Sequence, residues 1–268
     1  MKIPFFSLFC LIAIVFLSFF GLFFYEGLAY ELNPQKILLS PSLEHPFGTD
    51  RLGRDVLARV MEGGKISLSI GLLSSLVTSF IGLIIGVSAG FFKSYTDKVI
   101  IVLIDLFLTF PTFFLLLALV SYVEASIWVL VIVISITGWM GMARLIRSES
   151  FAISEAPFIK ILKIAKTNRL KIILKYFTPL LAPIFFISFT FGISGAILAE
   201  SGLSFLGIGI NPPQISWGTI LSEGKDVLDV AWWLSFFPGL MIFLVTYSLI
   251  NISDYLQNKT NTKDKQIG

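Results

Sequence analysis

Ile66 to Phe92 reads ISLSIGLLSSLVTSFIGLIIGVSAGFF, a run with no charged side chain. Bilayer hydrocarbon is about 30 Å thick and an α-helix rises about 1.5 Å per residue, so about 20 apolar residues cross it. In lipid the backbone must satisfy its own hydrogen bonds, which makes a helix the only open choice for such a run. Gly82, Gly86 and Gly90 recur every four residues, with Gly71, Ser75 and Thr78 near the same side. That stripe predicts a face on which a neighbouring helix approaches closely. The same character extends through the chain: 56% of its residues are hydrophobic and 14% charged, against about 25% charged in ordinary soluble domains. The expected class is an all-α membrane protein.

Outward from this run, five further spans are expected. Ile3 to Phe24 lies behind Lys2 with no small-x-small cleavage pattern and is too long for a signal-peptide core, so residues 1–30 read as a retained signal-anchor helix with a cytoplasmic amino end. Val99 to Val123 carries Asp105 and Pro111, and the proline frees a carbonyl and can kink the helix. Ile127 to Leu145, Leu180 to Leu198 and Ala231 to Ile252 complete six spans, the last with Trp232 and Trp233 as an aromatic belt. Residues 66–257 then form a five-helix core, and residues 258–268 a polar, basic, disordered cytoplasmic tail.

The connections sort by charge. Residues 31–65 carry balanced acids and bases and read as an external loop; its His45, the chain's single histidine, reads as a solvated or turn residue without metal partners. Residues 200–230 form an acidic outer loop in which SGLSFLGIGINPPQISWG suggests a short apolar helix followed by a turn. Between Arg144 and Lys175 stand eight Lys or Arg against Glu149 and Glu155. That excess places the loop 148–176 in the cytoplasm, in agreement with the span count. Carboxylates are costly in hydrocarbon, so Asp105 and Glu200 are candidate pathway or structural residues.

Several chemistries are excluded. GGKIS at Gly63 has Arg59 where a phosphate loop needs glycine, and GIGINP at Gly207 has Pro212 where a dinucleotide fingerprint needs one. One cysteine, Cys10, builds no disulfide or thiolate metal site within a chain. The chain is expected to be no enzyme, with no catalytic or metal-binding residue, no cofactor of its own and no nucleic-acid partner.

Taken jointly, HPFGTDRLGRDVLARV (45–60), DLFLTFP (105–111), GWMGMARLIRSE (138–149), AILAESGLSFLGIGINPP (196–213), SWG (216–218), FPGL (237–240) and Asn251 with Asp254 resemble the second permease type of ATP-binding-cassette importers for dipeptides, oligopeptides and nickel. The resemblance runs from His45 to Asp254 and implies six transmembrane helices with a cytoplasmic coupling helix between the fourth and fifth. It implies as partners a second, different permease, two cytoplasmic ATPase subunits that bind ATP and Mg, and an external solute-binding protein. Peptides are the expected cargo, with a nickel complex as the alternative; an ion-coupled carrier using Asp105 and Glu200 is the rival outside the family, and a poorly coupling permease the rival within it.

The family's Glu-Ala-Ala-x-x-x-Gly motif falls on Lys160, Ile161, Leu162 and Lys166, so both signature ends are lysines here. Smaller departures are Ile215, at a usual proline, and Ser253, at a usual glycine. Independently of family, Phe158, Ile161, Leu162 and Ala165 fall within about a hundred degrees on a helix, with Lys160 and Lys163 opposite. These four apolar residues, with Lys160 and Lys166, are the expected ATPase-coupling set. Lys166 is expected to resist a left-handed turn and to extend the helix.

Overall fold

The computed structural model describes Pro4 to Ile267. Met1 to Ile3 and Gly268 lie outside the described residues, and with them the orientation argument from Lys2. Side chains are described through Thr260, Ser94 excepted. Among the described residues there are ten α-helices and no β-strand. They are α1 (Phe5–Phe20), α2 (Val56–Phe92), α3 (Ser94–Leu108), α4 (Thr112–Val120), α5 (Ile127–Glu155), α6 (Pro157–Ile164), α7 (Arg169–Ile172), α8 (Thr178–Phe205), α9 (Trp217–Lys225) and α10 (Trp233–Ile267). Five segments are long and apolar enough to cross a membrane, and α3 with α4, bent by 80°, supplies the sixth. The all-α membrane class therefore holds. The third span is a broken helix: Thr109–Pro111 interrupts it at the proline, which cannot donate a backbone hydrogen bond.

Four boundaries differ from expectation for one reason: the helices run on past the apolar residues that mark the bilayer. The Asp55 carboxylate accepts a hydrogen bond from the Ala58 backbone N–H at 2.9 Å and caps α2. Helix therefore begins ten residues before Ile66, inside the stretch read as external loop. Helix α5 continues from Leu145 to Glu155, and α8 from Leu198 to Phe205, so Glu200 is helical. The first half of SGLSFLGIGINPPQISWG finishes α8, and the short outer helix is α9, opened by a capping box between Ser216 and Thr219. The tail read as disordered continues α10 to Ile267.

The glycine stripe seats α2 on α5. A Cβ at Gly86 would stand 2.7 Å from the Ala143 carbonyl oxygen, and one at Gly82 2.5 Å from Met142 Cγ. Only glycine lets the two backbones come this close. Of the four apolar clusters among the described residues, the smallest joins α3 to α5 through Ile104, Met140 and Ala143, and the other three follow one another from one end of α2 to the other. An outer one surrounds Trp217 and Trp233, a middle one joins α4, α5 and α8 through Leu116, Leu130 and Leu203, and an inner one gathers Phe91, Ile146, Ile159, Ile172 and Phe177. The two ends of α2 thus mark the two ends of the molecule.

Candidate functional site

The basic loop 148–176 folds at the inner end. Ala156 precedes a proline, whose ring disfavours helical backbone at the residue before it, and it adopts φ −58°, ψ 138°, which stops α5. Pro157 then occupies the first turn of α6, where its missing N–H costs nothing. Helix α6 ends in a Schellman motif: Thr167 N–H donates to the Leu162 carbonyl at 3.1 Å and Lys166 N–H to that of Lys163 at 3.1 Å. Lys166 sits at φ +53°. The expectation that lysine would extend the helix is therefore corrected: two orphan carbonyls and the turn into Asn168, whose side chain caps α7, outweigh a left-handed penalty of about 1–2 kcal/mol. Replacing Lys166→Gly should remove that penalty, and a thermal-melt series of the purified chain should show the variant more stable by about 1 kcal/mol.

Helix α6 presents two faces. Ile159 is fully buried in the inner cluster and Leu162 packs partly against it. Lys163 donates to Ser154 Oγ at 2.8 Å and lies 4.8 Å from the centre of the Phe91 ring; its burial, and then the charge of Lys93, push its ammonium below the usual lysine range. Lys160 pairs with Glu155 at 2.8 Å, and Glu155 also binds Lys93. Outward point Phe158, Ile161 and Ile164, with exposures of 44%, 64% and 80%, and Ala165 is exposed beside them. The expected ridge shifts accordingly: Leu162 turns inward and Ile164, which sequence reading left out, joins the exposed face. The signal for Ile164 was its place three residues after Ile161.

Of the two carboxylates, Asp105 lies on an exposed face of α3 and pairs with Arg144 of α5. Glu200 is fully buried, and among the described residues no Lys, Arg or His pairs with it. Its Oε1 accepts from Ser204 Oγ at 2.8 Å, and its Oε2 from Ser67 Oγ at 2.9 Å and Ser201 Oγ at 3.4 Å. Ser67 Oγ in turn accepts the Trp217 N–H at 3.1 Å. The carboxylate so joins α2, α8 and α9. The two candidates do not share a site.

At the outer end, sequence reading missed a buried ion network. Arg59 is 1% exposed and donates to Asp50, to Glu223 Oε2 at 2.5 Å and to Glu223 Oε1 at 2.9 Å. Arg54 Nε reaches Asp50 at 2.6 Å. His45, read as a solvated or turn residue, does lie in a turn, its carbonyl accepting from the Gly48 N–H at 2.8 Å, but its ring is largely buried: its Nδ1–H donates to Asp55 at 2.8 Å and its Nε2 accepts from Lys36 at 3.1 Å, since a lysine ammonium has no lone pair. Tyr25 donates to the same Asp55 at 2.8 Å; burial, then that carboxylate, push its phenol above the usual tyrosine range. The loops read independently as external thus meet each other, while the basic loop stands at the opposite end.

The chain is a polytopic helical unit with a short two-faced helix at its basic end. A chain of the MetNI methionine ABC transporter, solved in inward facing conformations, shares the fold at a TM-score of 0.59 and 13% identity, covering 75% of this chain and 97% of that one. Residues 82–262 match the family model for the binding-protein-dependent transport system inner membrane component, and the chain belongs to that family. It is 32% identical over 84% of its length to the oligopeptide transport system permease protein OppC of Haemophilus influenzae, covering 73% of that protein. With the dipeptide transport system permease protein DppC of Bacillus subtilis it shares 33% identity over 84% of this chain and 71% of that one. The chain is an inner-membrane permease, and the family resemblance read from its sequence stands.

Proposed function

We propose that this chain is the membrane-spanning permease of an ATP-driven importer of dipeptides or oligopeptides, forming half of the translocation pathway. A second, different permease supplies the other half, an external solute-binding protein delivers the cargo, and two cytoplasmic ATPase subunits hold the ATP and Mg. The observation that carries the reading is the exposed apolar face of α6, anchored from behind by Ile159 and set at the basic end of the bundle. Three large apolar residues left open on an eight-residue helix suit insertion into a cleft of a partner. In this reading Phe158, Ile161, Ile164 and Ala165 form the inserted face. Lys160 is held by Glu155, and Lys166 sets the turn that ends the helix.

Peptide rather than nickel is the cargo because the relatives compared carry peptide names. Uptake of a labelled dipeptide and of nickel, in cells lacking the gene and in cells complemented with it, tests both parts. Restored dipeptide uptake with unchanged nickel uptake is expected. Restoration of nickel alone overturns the substrate, and restoration of neither overturns the transport role.

A further inference from the structure

Charge is distributed unevenly along α6. At its amino end Lys160 is neutralised by Glu155, the last residue of α5, which also holds Lys93. At its carboxyl end Lys163, Lys166 and Arg169 stand around the turn into α7, and among the described residues none of the three pairs with a carboxylate. All three line an open cleft of about 730 Å³ that also takes in Phe91, Phe92 and Ile172, and no acid lines it. Like charges sharing one cleft repel one another, so an incoming anion is favoured there.

What lies beside the cleft selects its occupant. Ile164 and Ala165, the last exposed apolar residues of α6, directly precede Lys166, so a partner that covers the apolar face also reaches the cleft. That face by itself carries no direction: Phe158, Ile161 and Ile164 recur every three residues and fit an apolar groove either way round. Cations left open at one end only do carry a direction. Against a groove with acid on one rim, a single orientation brings the acid to the open cations, and charge complementarity of this kind fixes register and speeds encounter.

We propose that the ATPase surface receiving α6 is acidic beside the turn 163–169, and that its carboxylates enter the cleft and pair with Lys166 and Arg169. These pairs set the orientation of docking, while the apolar face supplies its burial. Lys163, bound to Ser154 and lying over Phe91, remains part of the wall. This inference rests on the docking of α6 to an ATPase and adds to it the charge of the partner.

Assembly of the complete complex, both permeases with the ATPase subunits, measured across a salt series, tests it. Affinity for the ATPases should fall as salt rises, and K166Q with R169Q should weaken binding about tenfold at low salt and flatten that slope. Both side chains are exposed, so the double variant leaves the core untouched. K166R should assemble as the native chain does. A carbodiimide, which joins an amine to a carboxylate in contact with it, should couple Lys166 to an Asp or Glu of the ATPase, and the product should vanish in K166R, which docks but offers no amine. The two readings fail separately. Normal assembly of I161D removes docking through α6 and this inference with it; loss of assembly in I161D beside native affinity and salt slope in the double variant overturns this inference alone. A weakening of the double variant that is equal at low and high salt also overturns it, as does coupling of Lys166 only to acids of its own chain, or to none, in an assembled complex.

Discussion

Replacing Ile161→Asp should cut substrate-stimulated ATP hydrolysis and peptide uptake by more than about tenfold in the reconstituted complex, while the chain still inserts and folds. Ile161 is 64% exposed, so in the isolated chain the carboxylate remains in water and costs little. In the proposed docked complex the same position is buried. The change there forfeits about 1.5–3 kcal/mol of apolar burial and adds an unpaired charge in a desolvated cleft, where each 1.4 kcal/mol is tenfold in affinity. Leu162→Asp is the instructive contrast. Leu162 packs against the cluster that holds Ile159, Phe91 and Phe177, so its loss should lower the amount of folded chain in the membrane. Unaltered ATPase stimulation in the Ile161 variant, at normal membrane level, removes α6 as the coupling element.

The second large effect lies at the other end. Arg59→Met should destabilise the chain by about 1.5–3 kcal/mol, because Asp50 and Glu223 lose their shared guanidinium and are left with Arg54 alone between them. Asp50 keeps Arg54 and the backbone N–H groups of Leu52 and Arg54, so part of the network survives. Arg59→Lys should not rescue it fully: one ammonium cannot reach both Glu223 oxygens and Asp50 in the forked geometry of a guanidinium. Glu223→Gln should be milder, since Glu223 is partly exposed and Asp50 still neutralises Arg59. Thermal midpoints of the purified variants check the order Arg59→Met below Arg59→Lys below Glu223→Gln; an Arg59→Met chain as stable as the native one would falsify the account.

Both features show what a linear chain reveals. Span number and class follow from local quantities, the apolar run and the charge that ends it, and these are read residue by residue. Helix ends are harder, because a charge stops an apolar run without stopping a helix. Arg59 reads as loop until Glu223, 164 positions away, supplies its partner. Glu200 reads as the first acid of an outer loop until Ser67, 133 positions away, supplies a hydroxyl. For α6 the 3.6-residue period identifies an amphipathic helix, but which apolar residues face inward depends on Phe177 and Ile172, which arrive later in the chain. Lys166 shows propensity overruled: residue type argues against the left-handed turn, and two backbone hydrogen bonds with a following Asn cap impose it.

Helix α2 runs unbroken for 37 residues, a rod about 55 Å long. Its first turns hold Arg59 in the outer ion network and its last turn carries Phe91 beneath α6. A helix without a break bends only gently along its length, so a tilt at one end is largely passed to the other. A tilt of about 5° around its middle displaces each end by about 2.4 Å in opposite directions, comparable to the small helix shifts by which interfaces exchange one packing for another. Leverage between the two faces of the membrane is therefore set by the absence of a break in α2, and a proline placed midway would sever it without touching either end.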